Sequence, residues 1–238
     1  MNISLYQIKI ATAVCLCGAA LWVNVNPSKR YGTVVILNGP SASGKTSIQK
    51  EFQQLMMPDL WIKVGIDSLF DAPMPNITLE NMQYWQSENP IRWITTNVDG
   101  NNNSVIALHT GHDGEKVAHG MNSAIAGYAK EGCNVIVDYI AYKKEWVDDL
   151  RRKLKNIPTL WVKVNIPLQT LEARETARAT SPKGHARSHY ATVHWDIQYN
   201  HEVDSENKSV QRIAQEIKKL TESPNGKYYD DFLLDDSK

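Results

Sequence analysis

The fold is decided by Val34-Val35-Ile36-Leu37-Asn38 followed by Gly39-Pro40-Ser41-Ala42-Ser43-Gly44-Lys45-Thr46. The first five residues predict a buried strand, and the next eight match the phosphate-binding pattern G-x-x-x-x-G-K-[ST] at every fixed position. Residues 47–55 then show the apolar spacing of a helix. The alternative is a glycine turn that carries Lys-Thr by chance, and it requires four fixed positions and both flanks to coincide. The sequence therefore predicts that residues 39–46 bind nucleotide phosphates through backbone N–H groups.

Two side chains of this loop, and a carboxylate further along the chain, predict the cofactors. Lys45 can reach the β- and γ-phosphates, and the Thr46 hydroxyl can ligate Mg²⁺. Residues 134–138 form another apolar run that ends in Asp138, as in a Walker-B strand, whose aspartate holds Mg²⁺ directly or through water. We therefore expect ATP and Mg²⁺ as cofactors, with Thr46 and Asp138 at the metal.

Length, charge and cysteine content limit which kinds of protein this chain can be. The chain has 238 residues, with 26 basic and 26 acidic side chains, enough for one α/β domain of about 200 residues plus an appendage. Its zero formal charge does not indicate a nucleic-acid-binding protein, so no nucleic-acid partner is expected. The three cysteines are too few and too scattered for a disulfide framework or a zinc site.

The N-terminal segment is distinct from this domain. Residues 10–23 are uncharged and mostly apolar, with Lys9 before them and Lys29-Arg30 after them. The run suits a signal sequence better than a full span of roughly 20 residues, yet extended to residue 25 it could cross a thin bilayer with tilt. An uncleaved membrane anchor is the interpretation we favour. An export or translocation signal and a buried accessory helix remain open.

The N-terminal segment and the phosphate loop together predict two domains and the cellular location of the catalytic one. Residues 1–30 form the apolar anchor or signal-like segment and its linker, and residues 31–238 form the catalytic domain. A phosphate loop of this type needs access to cytosolic nucleotide. We therefore expect the catalytic domain in a cytosol with ATP, tethered to a membrane through residues 10–25, with export or translocation as the alternative.

A candidate catalytic carboxylate follows a further predicted strand, residues 60–64. In a parallel sheet the ligand crevice lies beyond the carboxyl ends of the strands, so Asp67 is expected on the same rim as the phosphate loop. A carboxylate there can accept the proton of an acceptor hydroxyl. Asp67 could equally cap the following helix, and position alone does not separate the two roles.

The long insert at residues 71–106 is irregular in pattern and rich in Pro, Met, Trp and Tyr, with one short helix expected at residues 79–85. It predicts an acceptor pocket, a satellite core over one sheet face, or both. Residues 139–142 are also expected near the acceptor. His109, His112 and His119 match no standard metal spacing, so we favour a substrate contact by one of them over a metal cluster.

Arg174 and Arg178 lie four residues apart in a predicted helix at residues 168–180, so both guanidinium groups share one face. Guanidinium forks suit phosphate oxygens and can neutralise charge during transfer. The alternative is a solvated face with Glu172 and Glu175 as partners. This arginine-bearing helix, which leads into the Gly/Pro turn at residues 180–185, resembles the closing lid of small kinases.

Several stretches together resemble the chloramphenicol phosphotransferase family. They are the phosphate loop, Gly65-Ile66-Asp67-Ser68-Leu69, residues 160–164, Ala173-Arg174-Glu175-Thr176-Ala177-Arg178, and residues 199–204. The resemblance spans roughly residues 33–220 in unbroken order. It implies a small P-loop kinase that uses Mg·ATP to phosphorylate a hydroxyl on a small molecule, with Asp67 as general base. It gives Lys45, Thr46, Arg174 and Arg178 the nucleotide-binding and charge-stabilising roles.

The family usually carries a further lid arginine soon after the second. Here residues 179–182 are Ala-Thr-Ser-Pro, so Lys183 or Arg187 is expected to replace it. The prediction for the whole chain is a three-layer α/β/α kinase fold with a mainly parallel five-stranded sheet, plus an N-terminal apolar helix. Two other functions stay open: a nucleotide-binding switch, and a modifier of a macromolecule that acts after translocation.

Overall fold

The structure, a computed structural model, describes residues 30–66, 74–96, 105–178 and 182–223. Its centre is strand β1 (Val34–Asn38), in which all five residues are buried. A strand is buried along its whole length only when helices cover both faces of the sheet, which is why this segment is continuously apolar. The position of β1 explains why the phosphate loop that follows it opens at the middle of the sheet.

Six further strands complete two sheets. They are β2 (Trp61–Gly65), β3 (Ile91–Thr96), β4 (Val105–Thr110), β5 (Asn134–Tyr139), β6 (Thr159–Asn165) and β7 (His201–Asp204). The main sheet has five strands in the order β2-β5-β1-β6-β7, and every pairing in it is parallel. The predicted five-stranded, mainly parallel sheet is confirmed. Parallel pairing puts the carboxyl ends of all five strands at one edge.

Seven helices lie within the described residues. They are α1 (Lys45–Met56), α2 (Met82–Gln86), α3 (His112–Lys130), α4 (Lys144–Lys153), α5 (Leu168–Arg178), α6 (His185–Tyr190) and α7 (Val210–Thr221). Helices α3 and α4 pack on one face of the sheet, and α1 and α7 pack on the other. The fold is therefore the predicted three-layer α/β/α arrangement.

Successive side chains of β1 point to opposite faces of the sheet, so the strand contributes to the hydrophobic cores on both faces. Val34 and Ile36 join the cluster under α3 and α4, whereas Val35 and Leu37 join the cluster under α1 and α7. Each of these four side chains is fully buried, and full burial of such a side chain stabilises the fold by about 1.5–3 kcal/mol. The strand is thereby fixed from both sides, and so is the start of the loop that follows it.

The insert is more regular than its sequence pattern suggests. The short helix expected at residues 79–85 is present as α2, but β3 and β4 were not predicted. They form an antiparallel hairpin in which Ile91 pairs with Thr110 and Thr96 pairs with Val105. Every described position of the hairpin is half-buried or exposed, so its apolar signal is weak although β-branched residues are frequent. The irregular interpretation of this part of the insert was wrong.

Two predictions involve residues outside the described ranges. They are the N-terminal apolar segment and the domain boundary at residue 30. Within the described ranges, no helix is both long enough and apolar enough to cross a bilayer. The membrane anchor at residues 10–25 lies outside these ranges and stays a prediction.

Candidate active site

The phosphate loop connects β1 to α1 and needs glycine at two points. A Cβ atom on Gly39 would lie 2.8 Å from the carbonyl oxygen of Val164 in β6, too close for any side chain. Gly44 has a φ of 95° and precedes the first residue of α1, a conformation that glycine adopts without steric penalty. The loop can therefore turn tightly against the sheet and present the N-terminal amides of α1 to an anion.

The predicted cofactor residues meet at the carboxyl edge of the sheet. The Thr46 hydroxyl donates to Oδ2 of Asp138 over 2.5 Å, and the Lys45 ammonium lies 3.5 Å from Oδ1 of the same carboxylate. Lys45 also donates to the carbonyl oxygen of Pro40 over 2.8 Å. Register explains the approach, because Asp138 in β5 pairs with Leu37 in β1, one residue before the end of that strand.

This donor set suits a small hard cation. A hydroxyl and a carboxylate oxygen from Thr46 and Asp138 lie side by side, and Mg²⁺ prefers oxygen ligands, taking one or two from the protein and the rest from phosphate and water. No cluster of three or more His, Cys, Asp or Glu side chains able to hold a metal occurs in the described ranges. The residues therefore fit a phosphate-bound Mg²⁺ and not a metal enclosed by protein ligands alone.

Both lid arginines approach the phosphate loop from α5. Arg178 donates from Nη2 to the Ser41 hydroxyl over 3.2 Å, and Arg174 donates to the carbonyl oxygen of Ser205 over 2.8 Å. One guanidinium nitrogen of Arg174 lies 3.7 Å from where a Cβ atom on Gly44 would be. The two side chains therefore bridge the lid helix to the loop and to the segment after β7.

The glutamates of α5 bind elsewhere. Glu172 accepts a hydrogen bond from Arg187 over 2.5 Å. Glu175 is buried and accepts from the backbone N–H groups of Gly184 and Ala186, over 2.9 and 2.8 Å. The glutamates considered as partners of Arg174 and Arg178 thus bind α6 and the turn before it. Of the two candidates for the missing lid arginine, Arg187 is held by Glu172 and Lys183 is exposed.

A cavity of about 400 Å³ opens beside the loop. Its floor is the start of α1, one wall is the lid helix, and the other is the segment from the end of β7 into α7. Both polar and apolar residues line it, which suits a base and ribose. The lining residues are Ala42, Gly44, Ser47, Ile48, Arg174, Arg178, Ser205, Glu206, Lys208, Ser209, Val210 and Ile213.

Asp67, the predicted general base, lies just outside the described residues. Strand β2 ends at Gly65, which pairs with Asp138, and the next residue, Ile66, is buried. The sheet order thus sets β2 directly beside the strand that carries Asp138.

The three predicted histidines do not meet. His109 lies 3.3 Å from Glu88, His112 lies 3.6 Å from Asp113, and His119 lies 3.0 Å from Asp149. Each is beside a different carboxylate, which explains these residues without a shared ligand.

Sequence reasoning missed two other histidines, His185 and His189 of α6, which are 3% and 4% exposed. Nε2 of His185 lies 2.9 Å from the Tyr142 hydroxyl, and its ring centroid lies 4.2 Å from that of Trp93 in the hairpin. Burial, followed by the charges of Lys45 and Arg178, lowers the pKa of His185 to about 4. Isolated histidines in a six-residue helix give no periodic signal, so only the fold brings them to the phosphate loop.

The family described as "Chloramphenicol phosphotransferase-like protein" matches residues 32–222. Two relatives from Mycobacterium tuberculosis strains, CDC 1551 / Oshkosh and ATCC 25618 / H37Rv, are each named "Putative O-phosphotransferase". Each is 27% identical over 194 residues, which cover 78% of this chain and 80% of the relative.

Two solved structures share the fold at low identity. One is the Mycobacterium tuberculosis APS kinase CysC in complex with AMPPNP and APS, with a TM-score of 0.52 and 18% identity over 81% of this chain and 99% of that one. The other is a sugar kinase from Janibacter sp. HTCC2649, with a TM-score of 0.53 and 17% identity over 82% and 98%. With the family match spanning most of the described sequence, the chain belongs to the chloramphenicol phosphotransferase-like proteins, and it is a phosphotransferase.

Proposed function

We propose that the protein transfers the γ-phosphoryl group of Mg·ATP to a hydroxyl group of a small molecule. The observation that carries the proposal is the meeting of Lys45, Thr46 and Asp138 at the tip of β1. A cationic side chain, a hydroxyl and a carboxylate beside a helix N-terminus are the parts that P-loop enzymes use to hold a triphosphate. The adjoining cavity of about 400 Å³ supplies room for the base and ribose.

Each of these residues has a separate role in the proposed phosphoryl transfer. The loop amides from Gly39 to Thr46 cradle the phosphates, and Lys45 neutralises charge on the β- and γ-phosphates. Thr46 and Asp138 would hold Mg²⁺, which would supply positive charge to offset that of the phosphates. Arg174 and Arg178 reach the same loop from the lid, so they can stabilise the charge that develops on the transferred group.

Asp67 is the residue we assign to the acceptor. Its carboxylate takes the proton of the acceptor hydroxyl while that oxygen forms a bond to the γ-phosphorus. The bond from the γ-phosphorus to the β,γ-bridging oxygen breaks, and ADP leaves with the electron pair. The sheet supports this role, because β2 runs beside β5 and Gly65 is in register with Asp138.

The acceptor is proposed to bind between the residues after β5 and the hairpin. Trp93 and Tyr142 each contact the ring of His185 there, and the charge of Lys45 acts on the same imidazole. Aromatic and neutral imidazole groups suit an uncharged ring or chain that carries a hydroxyl. The protein works where cytosolic ATP is available, and contact with a membrane through residues 10–25 stays a separate proposal.

The test is incubation with ATP, Mg²⁺ and a panel of hydroxylated antibiotics and metabolites, followed by mass spectrometry. We expect ADP together with one product heavier than its parent by one HPO₃ group. ATP binding with no turnover would instead indicate a nucleotide-dependent switch. In a parallel incubation of whole lysate with γ-labelled ATP, label in protein or RNA would move the acceptor to a macromolecule.

A further inference from the structure

The phosphate loop contains a strained turn. The Ser43 N–H donates to the carbonyl oxygen of Pro40 over 3.2 Å, which closes a turn with Ser41 and Ala42 at its centre. Ala42 has a φ of 63°, in the left-handed region. A turn with this φ at its third position favours glycine, and a residue with a Cβ atom pays about 1–2 kcal/mol there. Such strain persists only where neighbouring contacts hold the backbone in place.

Ser41, the residue before the strained alanine, is held by two contacts. Its backbone N–H donates to Nε2 of His189 over 3.0 Å, and its hydroxyl accepts from Arg178 over 3.2 Å. The turn itself does not use the N–H of its second residue. The histidine therefore satisfies a buried donor that would otherwise have no partner within the turn, and it fixes the backbone just where the strain begins.

The hydrogen-bond chain around His189 defines its tautomer. The Ser188 hydroxyl donates to the carbonyl oxygen of His185 over 2.6 Å, and its oxygen lies 3.3 Å from Nδ1 of His189. Nδ1 therefore carries the proton and donates to Ser188, which leaves the lone pair of Nε2 for the Ser41 N–H. This assignment is inferred from the network of donors and acceptors.

The surroundings keep the imidazole neutral. His185 on the same helix, Lys45 of the phosphate loop and Tyr142 after β5 face it, with the rings of His185 and Tyr142 centred 4.7 and 5.0 Å away. Burial, followed by the charges of His185 and Lys45, lowers the pKa of His189 well below its ordinary value. A protonated ring would set one N–H against another at Ser41 and break the contact.

We propose that His189 is a positioning residue that holds the phosphate loop in its nucleotide-binding conformation by accepting the Ser41 N–H. The inference rests on the proposed function, because it assumes that the loop binds Mg·ATP. His189 does not touch the reacting atoms in this assignment. It acts through Ser41 on the path of the amides that follow, from Ala42 to Lys45.

Two substitutions separate the hydrogen bond from the shape of the ring. In His189→Gln the amide oxygen falls where Nε2 lies, so it can still accept the Ser41 N–H, whereas the shorter side chain of His189→Asn cannot reach. We expect isothermal titration with Mg·ATP to show about tenfold weaker binding for H189N, equivalent to ~1.4 kcal/mol. H189Q should stay within about threefold of the natural chain, a difference of under ~0.7 kcal/mol.

His194→Asn is the matched control. Burial also lowers the pKa of His194 to about 4, but its Nδ1 contacts the Tyr199 hydroxyl and not the phosphate loop. H194N should therefore bind Mg·ATP as the natural chain does. Thermal unfolding without nucleotide shows whether each variant is folded.

The outcomes are distinguishable. If the natural chain binds no Mg·ATP, the proposed function fails and the inference fails with it. If it binds and H189N binds equally well, or if H189Q is as weak as H189N, only the positioning role is overturned. Nitrogen-15 NMR of the natural chain gives a test without any variant, because we expect His189 to carry its proton on Nδ1. A proton on Nε2 would overturn the inference.

Discussion

The proposed phosphate side and the proposed acceptor side of the site are built by different means. On the phosphate side, Lys45 and Thr46 begin the helix that follows the fully buried strand β1. Asp138 lies in the neighbouring strand β5, where every residue after Asn134 is buried. On the acceptor side, Trp93 extends from a two-stranded hairpin that has no buried position among its described residues. Phosphate needs the same fixed geometry whatever the acceptor, which agrees with a proposed phosphate site built on the core. The acceptor wall is a separate addition at the surface, where loops vary at little cost to the fold.

The first way to sharpen this comparison is to remove the general base alone. Asp67→Asn should lower the rate of transfer by about 10²–10⁴-fold, because the acceptor hydroxyl loses its proton acceptor. Binding of Mg·ATP should be unchanged, since the phosphate side is intact. Steady-state kinetics and titration calorimetry measure the two quantities, with the exposed Asp59→Asn as control. Normal transfer by D67N would rule out the base assignment.

The second change acts on the phosphate side. Lys45→Met retains the apolar stem and removes the charge next to Asp138. We expect turnover to fall by about 10²–10³-fold, as when one preorganised donor to the developing charge is lost. Nucleotide affinity should weaken too, unlike in D67N. Lys63→Met on the exposed side of β2 is the comparison, and equal turnover of the two methionine variants would contradict the prediction.

A third change tests the hydrogen bonds that connect α5 to the start of α6. Glu175→Ala leaves the half-buried N–H of Gly184 and the buried N–H of Ala186 without their acceptor. Such a loss lowers the free energy of unfolding by about 1–3 kcal/mol. Glu175→Gln retains one acceptor oxygen and should lose less. Denaturant unfolding measures both, and equal stability of E175A and the natural chain would show that the turn before α6 is held by other contacts.

The smallest expected effect is a dependence of stability on pH. Burial lowers the pKa of His185 and of His194 to about 4 in the folded chain, whereas the ordinary value in the unfolded chain is 6.5. The unfolded chain therefore binds more protons between these values. Stability is fully present above about pH 6.5 and falls toward pH 4, by at most ~1.4 kcal/mol per pH unit for each histidine.

The difference between the natural chain and H194N isolates one histidine in this window. The slope of unfolding free energy against pH should be shallower in the variant, by up to one bound proton. Denaturant unfolding at several pH values from 6.5 to 4.5 gives the slopes. Identical slopes would mean that His194 titrates alike in both states.

Much of the core could be predicted from sequence, and the reason lies in burial. Strands such as β1 and β5 are enclosed on both faces, so they appear as unbroken apolar runs. Asp138 could be predicted because it ends such a run. The hairpin could not, because its half-buried strands alternate weakly and its apolar residues contact neighbours far away in sequence, as Trp93 contacts His185.

In the candidate site, too, some residues could be predicted from local sequence and others could not. Lys45 and Thr46 occur in a local pattern whose spacing is set by the phosphate itself, so sequence alone was sufficient to select them. His189 reaches the loop across 148 positions of sequence, and no local rule relates such a pair. The histidines that were selected, His109, His112 and His119, stood close together in sequence but lie beside separate carboxylates.

The contact between Trp93 and His185 gives the chain a built-in optical probe. Their ring centroids lie 4.2 Å apart, and the Ile106 N–H of the same hairpin donates to the carbonyl oxygen of Gly184 over 3.3 Å. Indole emission is sensitive to an adjacent imidazole, so fluorescence from Trp93 reports whether the hairpin and α6 stay together. The chain has seven tryptophans, and subtracting the spectrum of Trp93→Phe isolates this one. The order in which nucleotide and acceptor arrive can then be followed in real time without an attached dye.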